Sequence, residues 1–274
     1  VGYEQVFMKN VYELIEAKVT RVIEENSITK TLYFRLSDQS EFKFLAGQFM
    51  MIGLPGFGEC PISISSNPKQ SGQSFSLTIR SVGDLTEKLI NLKKGDSAWV
   101  RGPFGNGFPE IEKNLILIGG GCGYIPLRAV IEEYKNKKGT KLQVFIGCKT
   151  RDSLVFKDDY KKIQAKHDFN LIMEKDSLAG LTRGQGFVTD LIKKKKLLKK
   201  AKIFICGPEM MYRFVVKELL KKGIEPKNIF LSLEKRMHCG IGVCQHCAIG
   251  PKYICKDGPV FSYEFLQNLP NYKY

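Results

Sequence analysis

Short stretches in which apolar and polar residues alternate, or β-branched and aromatic residues gather, make the first hundred positions rich in strand signals. Stretches 18–24 and 31–36 alternate in this way and are rich in β-branched and aromatic side chains, and 48–54, 62–65 and 75–80 continue the series. Gly47, Pro55-Gly56, Pro61 and Asn67-Pro68 punctuate them. A helical stretch at 85–91 interrupts, Lys94-Gly95-Asp96 reads as a turn, and 98–101 reads as a last strand. Short strands at regular spacing predict an antiparallel β barrel or sandwich. Gly102-Pro103-Phe104-Gly105-Asn106-Gly107 reads as a loop and a domain boundary.

From position 114 the rhythm changes. The buried-type strand 115–118 runs into Gly119-Gly120-Gly121-Cys122-Gly123 and an amphipathic helix at 125–134. Strands follow at 142–146, 169–173, 203–206 and 229–233, and helices at 153–164, 187–198 and 210–220. Strands alternating with helices predict a parallel sheet covered on both faces, doubly wound because crossovers are right-handed. The last forty residues break this pattern. The expected division is 1–107 for the barrel, 108–234 for the α/β unit and 235–274 for a C-terminal segment.

A length of 274 residues fits about two domains. With 43% hydrophobic and 26% charged residues, the composition excludes a disordered chain, a collagen repeat and a coiled coil. No apolar run is long enough to span a membrane. Val1-Gly2-Tyr3-Glu4 carries no basic-then-apolar leader pattern, so a reducing cytoplasm is the expected location. A net charge of +15 raises a nucleic-acid reading. The lysines, however, are dispersed or flank predicted helices, as at 193–196 and 221–222, and no stacking aromatics interleave with them. A solvated basic face, partly offset by anionic cofactors, is the better account. No nucleic-acid or membrane partner is expected.

Cysteine placement carries the most chemistry. Cys239-x4-Cys244-x2-Cys247-x7-Cys255 crowds four thiols into one short segment, with Gly240, Gly242 and Gly250 letting the chain wrap closely. This is the spacing of plant-type [2Fe–2S] ligands. A structural zinc site would ordinarily show two paired units, and only one C-x2-C is present. The loop Gly119 to Gly123, followed by Pro126, lies between a strand and a helix and suits a dinucleotide pyrophosphate. It is not the G-x-G-x-x-G fingerprint, since Tyr124 stands at the last glycine position. No acidic residue ends the next strand, whereas Lys149 and Arg151 follow it. Cys206-Gly207-Pro208 ends a later strand at the sheet edge where ligands of such folds bind. In the barrel half, Pro61-Ile62-Ser63-Ile64-Ser65 and Gly83-Asp84-Leu85-Thr86 are the candidates, the latter opening a helix.

In this order the motifs resemble the ferredoxin–NADP reductase superfamily over residues 11–263. The resemblance is to the branch of small flavin subunits with a C-terminal [2Fe–2S] loop. That branch holds dihydroorotate dehydrogenase electron-transfer subunits, the corresponding flavin subunit of anaerobic sulfite reductase and the gamma subunits of cytoplasmic sulfhydrogenases. Gly56-Phe57-Gly58-Glu59, Arg101 through Pro109, Leu233-Glu234-Lys235-Arg236-Met237 and Tyr253 through Phe261 look most like the sulfhydrogenase gamma subunits. The resemblance implies that Pro61, Ile62, Ser63, Ile64 and Ser65 line a flavin ring, and that Gly83 and Thr86 hold the FAD pyrophosphate. It implies that Gly120, Gly121, Gly123 and Pro126 hold NAD(P)H, and that Cys206, Gly207 and Ser63 border the hydride path. Cys239, Cys244, Cys247 and Cys255 would ligate [2Fe–2S]. Cys60 and Ile62 replace the family's Arg and Tyr, which leaves FAD and FMN both open and makes Arg80 the substitute cation.

The implied function is electron transfer between NAD(P)H and an iron–sulfur partner subunit, in a hetero-oligomer with a hydrogenase or sulfur-reducing catalytic subunit. The flavin subunit of anaerobic sulfite reductase is the alternative. A zinc-stabilised nucleotide- or nucleic-acid-binding adaptor is the alternative of another class.

Overall fold

The structure is a computed structural model describing residues 10–270, except 71, 73, 112 and 179, together with Tyr272. The Val1-Gly2-Tyr3-Glu4 start lies outside the described residues. Six strands form an antiparallel sheet: β1 (Ile15–Asn26), β2 (Thr29–Leu36), β3 (Phe49–Leu54), β4 (Gly58–Ser63), β5 (Ser74–Arg80) and, after helix α1 (Asp84–Ile90), β6 (Ser97–Phe104). Their order is β4-β3-β6-β1-β2-β5. An antiparallel bridge between Ile64 and Leu77, with Ser65 N–H donating to Ser76 O, joins the two edges into a barrel. Inward residues alternate with outward ones, and Leu32, Phe34, Ile52, Phe75, Leu77 and Ile79 fill the interior.

Beyond the barrel come β7 (Asn114–Gly120), α2 (Tyr124–Tyr134), β8 (Lys141–Cys148), α3 (Lys157–Gln164) and β9 (Asp168–Met173). Then follow β10 (Thr182–Gln185), α4 (Val188–Lys194), β11 (Ala201–Cys206), α5 (Glu209–Lys221) and β12 (Ile229–Ser232). A last strand, β15 (Val260–Ser262), completes a sheet of order β10-β9-β8-β7-β11-β12-β15, and every neighbouring pair from β10 to β12 is parallel. The order reverses between β7 and β11, as a doubly wound sheet requires. Apolar residues cover both faces of the sheet in two clusters, which is why its strands are near-continuous runs such as Leu115-Ile116-Leu117-Ile118.

Two helices differ from the periodicity reading. Helix was expected over 153–164, but α3 begins only at Lys157. Leu154, Val155 and Phe156 are buried in the core and leave the helical path to reach it. Helix was expected over 187–198, but α4 stops at Lys194. Gln143 captures the backbone beyond it, donating to Lys196 O and accepting from Leu198 N–H.

The C-terminal segment is part of the same body. Hairpin β13 (Ala248–Ile249) and β14 (Lys252–Tyr253) precedes α6 (Ile254–Asp257), β15 and α7 (Tyr263–Leu266). Strand β15 pairs antiparallel with β12 and so closes one edge of the large sheet. The Gly105-Asn106-Gly107 linker clamps this segment: the Asn106 amide donates to Asp257 O and Val260 O, each at 2.9 Å. A Cβ at Gly105 would stand 2.5 Å from Gly258 O, so the close approach needs glycine there.

Candidate functional site

Three sets of candidate residues gather around the barrel. The first lies where strand order reverses. Gly119 is registered against Cys206 on adjacent strands whose following helices leave in opposite directions, which opens a crevice at the carboxyl edge. The two loops touch backbone to backbone: a Cβ at Gly123 would lie 2.1 Å from Cys206 O, and one at Gly120 would lie 2.5 Å from Met211 Sδ. Gly121 takes φ +54° and faces open space, within a tight turn that leads directly into α2. Bare backbone at a helix start is what a pyrophosphate needs. Pro126, in the first turn of α2, is buried.

On the other lip, Gly207 N–H donates to the Tyr212 hydroxyl at 3.2 Å, and that hydroxyl donates to Ser232 O. This pins the turn after β11. Cys206 itself is 1% exposed. Burial, with the charge of Glu234 adding to it, pushes its thiol far above the ordinary range, so it is a neutral thiol and no nucleophile.

The second set lies on the barrel. Pro61, Ile62 and Ser63, on the edge strand β4, are half-buried. Ile64 and Ser65, placed on the flavin ring by the resemblance, are both 0% exposed: Ile64 packs into the barrel interior, and Ser65 is covered on the barrel's outer side by α2. Ser65 Oγ meets Ser76 Oγ at 3.0 Å and accepts from Thr78 Oγ1 at 2.9 Å. Neither side chain has a free face to offer. Cys60 is also partly buried, and its thiol is pushed up to about 11 by burial and by the charge of Glu59. It therefore offers no charge to a phosphate.

Arg80 is exposed at the end of β5, and its Nη1 lies 3.5 Å from Cys122 Sγ in the glycine loop. This contact brings the barrel's cation to the mouth of the crevice. Gly83 opens α1 onto empty space. The Thr86 hydroxyl does not point out of its turn: it accepts from Val82 N–H at 2.9 Å and Gly83 N–H at 3.0 Å and donates to Gly83 O at 2.8 Å. It shapes the turn and leaves ligand contact to the backbone and to Arg80. The donors present, one guanidinium beside exposed glycine backbone, suit a diphosphate.

The third set is the cysteine loop. Backbone N–H groups of the loop point at three of the four sulfurs. Cys244 N–H points at Cys239 Sγ (3.4 Å), and Cys255 N–H points at Cys247 Sγ (3.5 Å). Gly242 N–H donates to Cys255 Sγ at 3.1 Å. Among the described residues, no three His, Cys, Asp or Glu side chains converge as they would on a single metal ion. Four thiols served by backbone N–H donors are a donor set that suits an iron–sulfur centre. The Cys244 thiol is drawn down to about 7, chiefly by the His246 N–H aimed at it. Burial pushes Cys255 up to about 12.

The barrel holds this loop. A Cβ at Gly240 would meet Met51 Cγ at 2.9 Å and Phe104 at 3.2 Å. Arg101, 5% exposed, forms a bidentate ion pair with Glu59 and donates from Nη2 to Cys239 O at 3.0 Å. Arg101 and Glu59 have no local sequence signal as site residues, because their partners are remote in the chain.

Comparison with known proteins adds to this geometry. Residues 117–217 match the family described as oxidoreductase NAD-binding domain. Residues 234–267 match the iron–sulfur cluster binding domain of dihydroorotate dehydrogenase B. The chain is 37% identical to sulfhydrogenase 2 subunit gamma of Pyrococcus furiosus, over 93% of this chain and 96% of the relative. It is 34% identical to a probable dihydroorotate dehydrogenase B (NAD(+)) electron transfer subunit of Thermoplasma volcanium, over 94% of this chain and 93% of the relative. A solved NADH-dependent reduced ferredoxin-NADP oxidoreductase superposes with a TM-score of 0.75 at 24% identity, over 90% of this chain and 88% of that one. A ferredoxin NADP+ reductase from Neisseria gonorrhoeae, solved with FAD and NADP, gives a TM-score of 0.66 at 17% identity, over 80% and 97%.

Proposed function

The chain belongs to the ferredoxin–NADP reductase-like family of oxidoreductase electron-transfer subunits, and from that premise we propose that it carries FAD on the barrel, NAD(P)H in the crevice and [2Fe–2S] on the cysteine loop. Its task is to pass electrons between NAD(P)H and an iron–sulfur partner subunit of a hydrogenase or sulfur-reducing complex. The observation that carries this reading is the position of the barrel, which touches the crevice through Arg80 and Cys122 and the cysteine loop through Arg101 and Cys239. A flavin bound there takes two electrons as a hydride and releases them singly to a one-electron centre.

The protein's own groups divide the remaining work. Gly120, Gly121, Gly123, Pro126 and Gly207 shape the nucleotide crevice, and Cys206 stays protonated behind it as a packed, uncharged wall. Pro61 and Ser63 would present the outer face of β4 to the ring, while Ile62 between them packs against the barrel core. Ser63, half-buried at the strand's end, is the polar side chain that β4 would offer to the flavin. Gly83, in the turn that Thr86 shapes, together with Arg80, receives the pyrophosphate. Cys239, Cys244, Cys247 and Cys255 would hold the cluster, with the backbone N–H groups of Gly242, Cys244 and Cys255 serving their sulfurs.

A second reading of the partner, a dihydroorotate dehydrogenase-type subunit, is favoured by the match of residues 234–267. No described helix is long and apolar enough to cross a membrane. The work is expected in the cytoplasm, within a hetero-oligomer.

The test is anaerobic purification with absorption spectra and assays of iron, sulfide, zinc and extracted flavin. The expected result is flavin bands, a bleachable cluster shoulder and about two irons per chain. Reduction by NADH or NADPH should then support transfer to an artificial one-electron acceptor. Zinc with no colour would overturn the proposal.

A further inference from the structure

Between the barrel and helices α2 and α3 runs a closed circuit of polar contacts that neither cofactor site uses. Arg128 lies on α2, in the turn after the glycine loop, with its side chain 14% exposed. Its Nε donates to Asp159 Oδ2 on α3 at 2.9 Å, and its Nη1 donates to Ser65 O at 2.9 Å. The guanidinium stacks 4.4 Å from the Phe156 ring centroid. Phe156 takes φ +58°, and its N–H donates to Glu25 Oε2 on β1 at 2.6 Å. Glu25 Oε1 accepts from Thr31 Oγ1 at 2.7 Å, Thr31 meets Thr78 at 2.9 Å, and Thr78 donates to Ser65 Oγ at 2.9 Å. The circuit starts and ends at Ser65 and crosses the domain boundary twice.

Such an arrangement is a poor way to gain stability alone. A buried ion pair is often no better than apolar packing of the same volume, and a left-handed Phe is strained by about 1 kcal/mol or more. What a planar fork does supply is direction, because it holds two acceptors at a fixed angle. Here the acceptors are the end of the flavin-motif strand and the helix behind the nucleotide crevice. Ser65 lies two residues beyond Ser63, and Arg128 five beyond Gly123. Asn67 Nδ2 to Glu132 O (3.2 Å) and Asn26 Nδ2 to Leu154 O (3.3 Å) join the same two bodies without such a fork.

We propose that Arg128 is a positioning residue for hydride transfer: it touches neither cofactor, but sets the angle at which the glycine loop presents the nicotinamide to the flavin edge. This rests on the flavin and nucleotide assignments above. A displacement of about 1 Å between hydride donor and acceptor is enough to cost about a hundredfold in rate.

The experiment uses the flavin- and cluster-loaded protein and follows flavin bleaching by stopped flow, with whichever of NADH and NADPH reduces the wild type. Arg128→Met should slow hydride transfer by about 10–100-fold while nucleotide Kd moves by less than about threefold and flavin content is kept. Arg128→Lys restores the charge without the fork and should recover only part of the rate. Asp159→Asn keeps the side-chain shape, should slow transfer in the same direction, and carries the test if the Met variant does not fold. Folded, flavin-loaded variants with the wild-type rate overturn the proposal. So does a loss lying wholly in nucleotide Kd or flavin content, which marks a fold-holding role. A wild type that neither nucleotide reduces overturns the functional reading itself, and the proposal with it.

Discussion

Cys122 and Cys206 flank the same crevice and differ in chemistry because they differ in burial. Cys122 is exposed at its mouth, beside Arg80, while Cys206 is 1% exposed at the end of β11. Thiolate, not thiol, reacts with alkylating agents, and burial removes both thiolate and access. Iodoacetamide at pH 8 should therefore label Cys122 at least about tenfold faster than Cys206 or Cys148, as read by peptide mass spectrometry. Bound NAD(P)H should protect Cys122. Equal labelling of Cys206 would mean that the turn pinned by Tyr212 opens in solution. The sequence puts both cysteines in loops expected to border a nucleotide, and only their packing separates them.

Elements were legible where one periodicity held and went astray where a side chain reached across the sheet. The shortened α4 is the clearest case, since Gln143 on β8 takes backbone groups that helix would otherwise have used. The same corner holds Asp168 at the start of β9. Burial works against its charge, but hydrogen bonds from Gln143, Asn170 and Lys195 prevail and hold its carboxyl below the usual range. A depressed acid stabilises the fold above the unfolded value, about pH 3.9 for Asp, and that stability is lost as pH falls through the folded value. Asp168→Asn should thus lower Tm at pH 7, and the gap should close below about pH 3–4, as scanned by circular dichroism. The side chain is 40% exposed, so the loss at pH 7 should be at most about 1 kcal/mol. A gap unchanged at low pH would exclude the charge as its source.

At the scale of the molecule, the iron–sulfur segment is not an appendage. Strand β15 closes the sheet, Asn106 is bonded to the segment, and Ile249, Ile254, Phe261 and Leu266 are buried in the core they share with β7 and β11. Removing residues 235–274 should expose that apolar face and the β12 edge, giving aggregated or unfolded protein. Size-exclusion chromatography and circular dichroism of the 1–234 fragment would check this. A stable monomeric fragment would make the segment a separable domain.

What the sequence by itself determined was local. The cysteine spacing, the glycine loop between strand and helix, and the change of period near 114 each depend on residues a few positions apart, and short-range geometry follows from spacing. What only the tertiary structure decided was which distant groups meet. Arg101 reaches Cys239 across 138 positions and Arg128 reaches Ser65 across 63. Closure of the barrel turned Ile64 inward, and the packing of α2 on the barrel covered Ser65. No periodicity encodes such contacts, because they arise when separately patterned faces pack together and buried polar groups at the seam take partners from the other body.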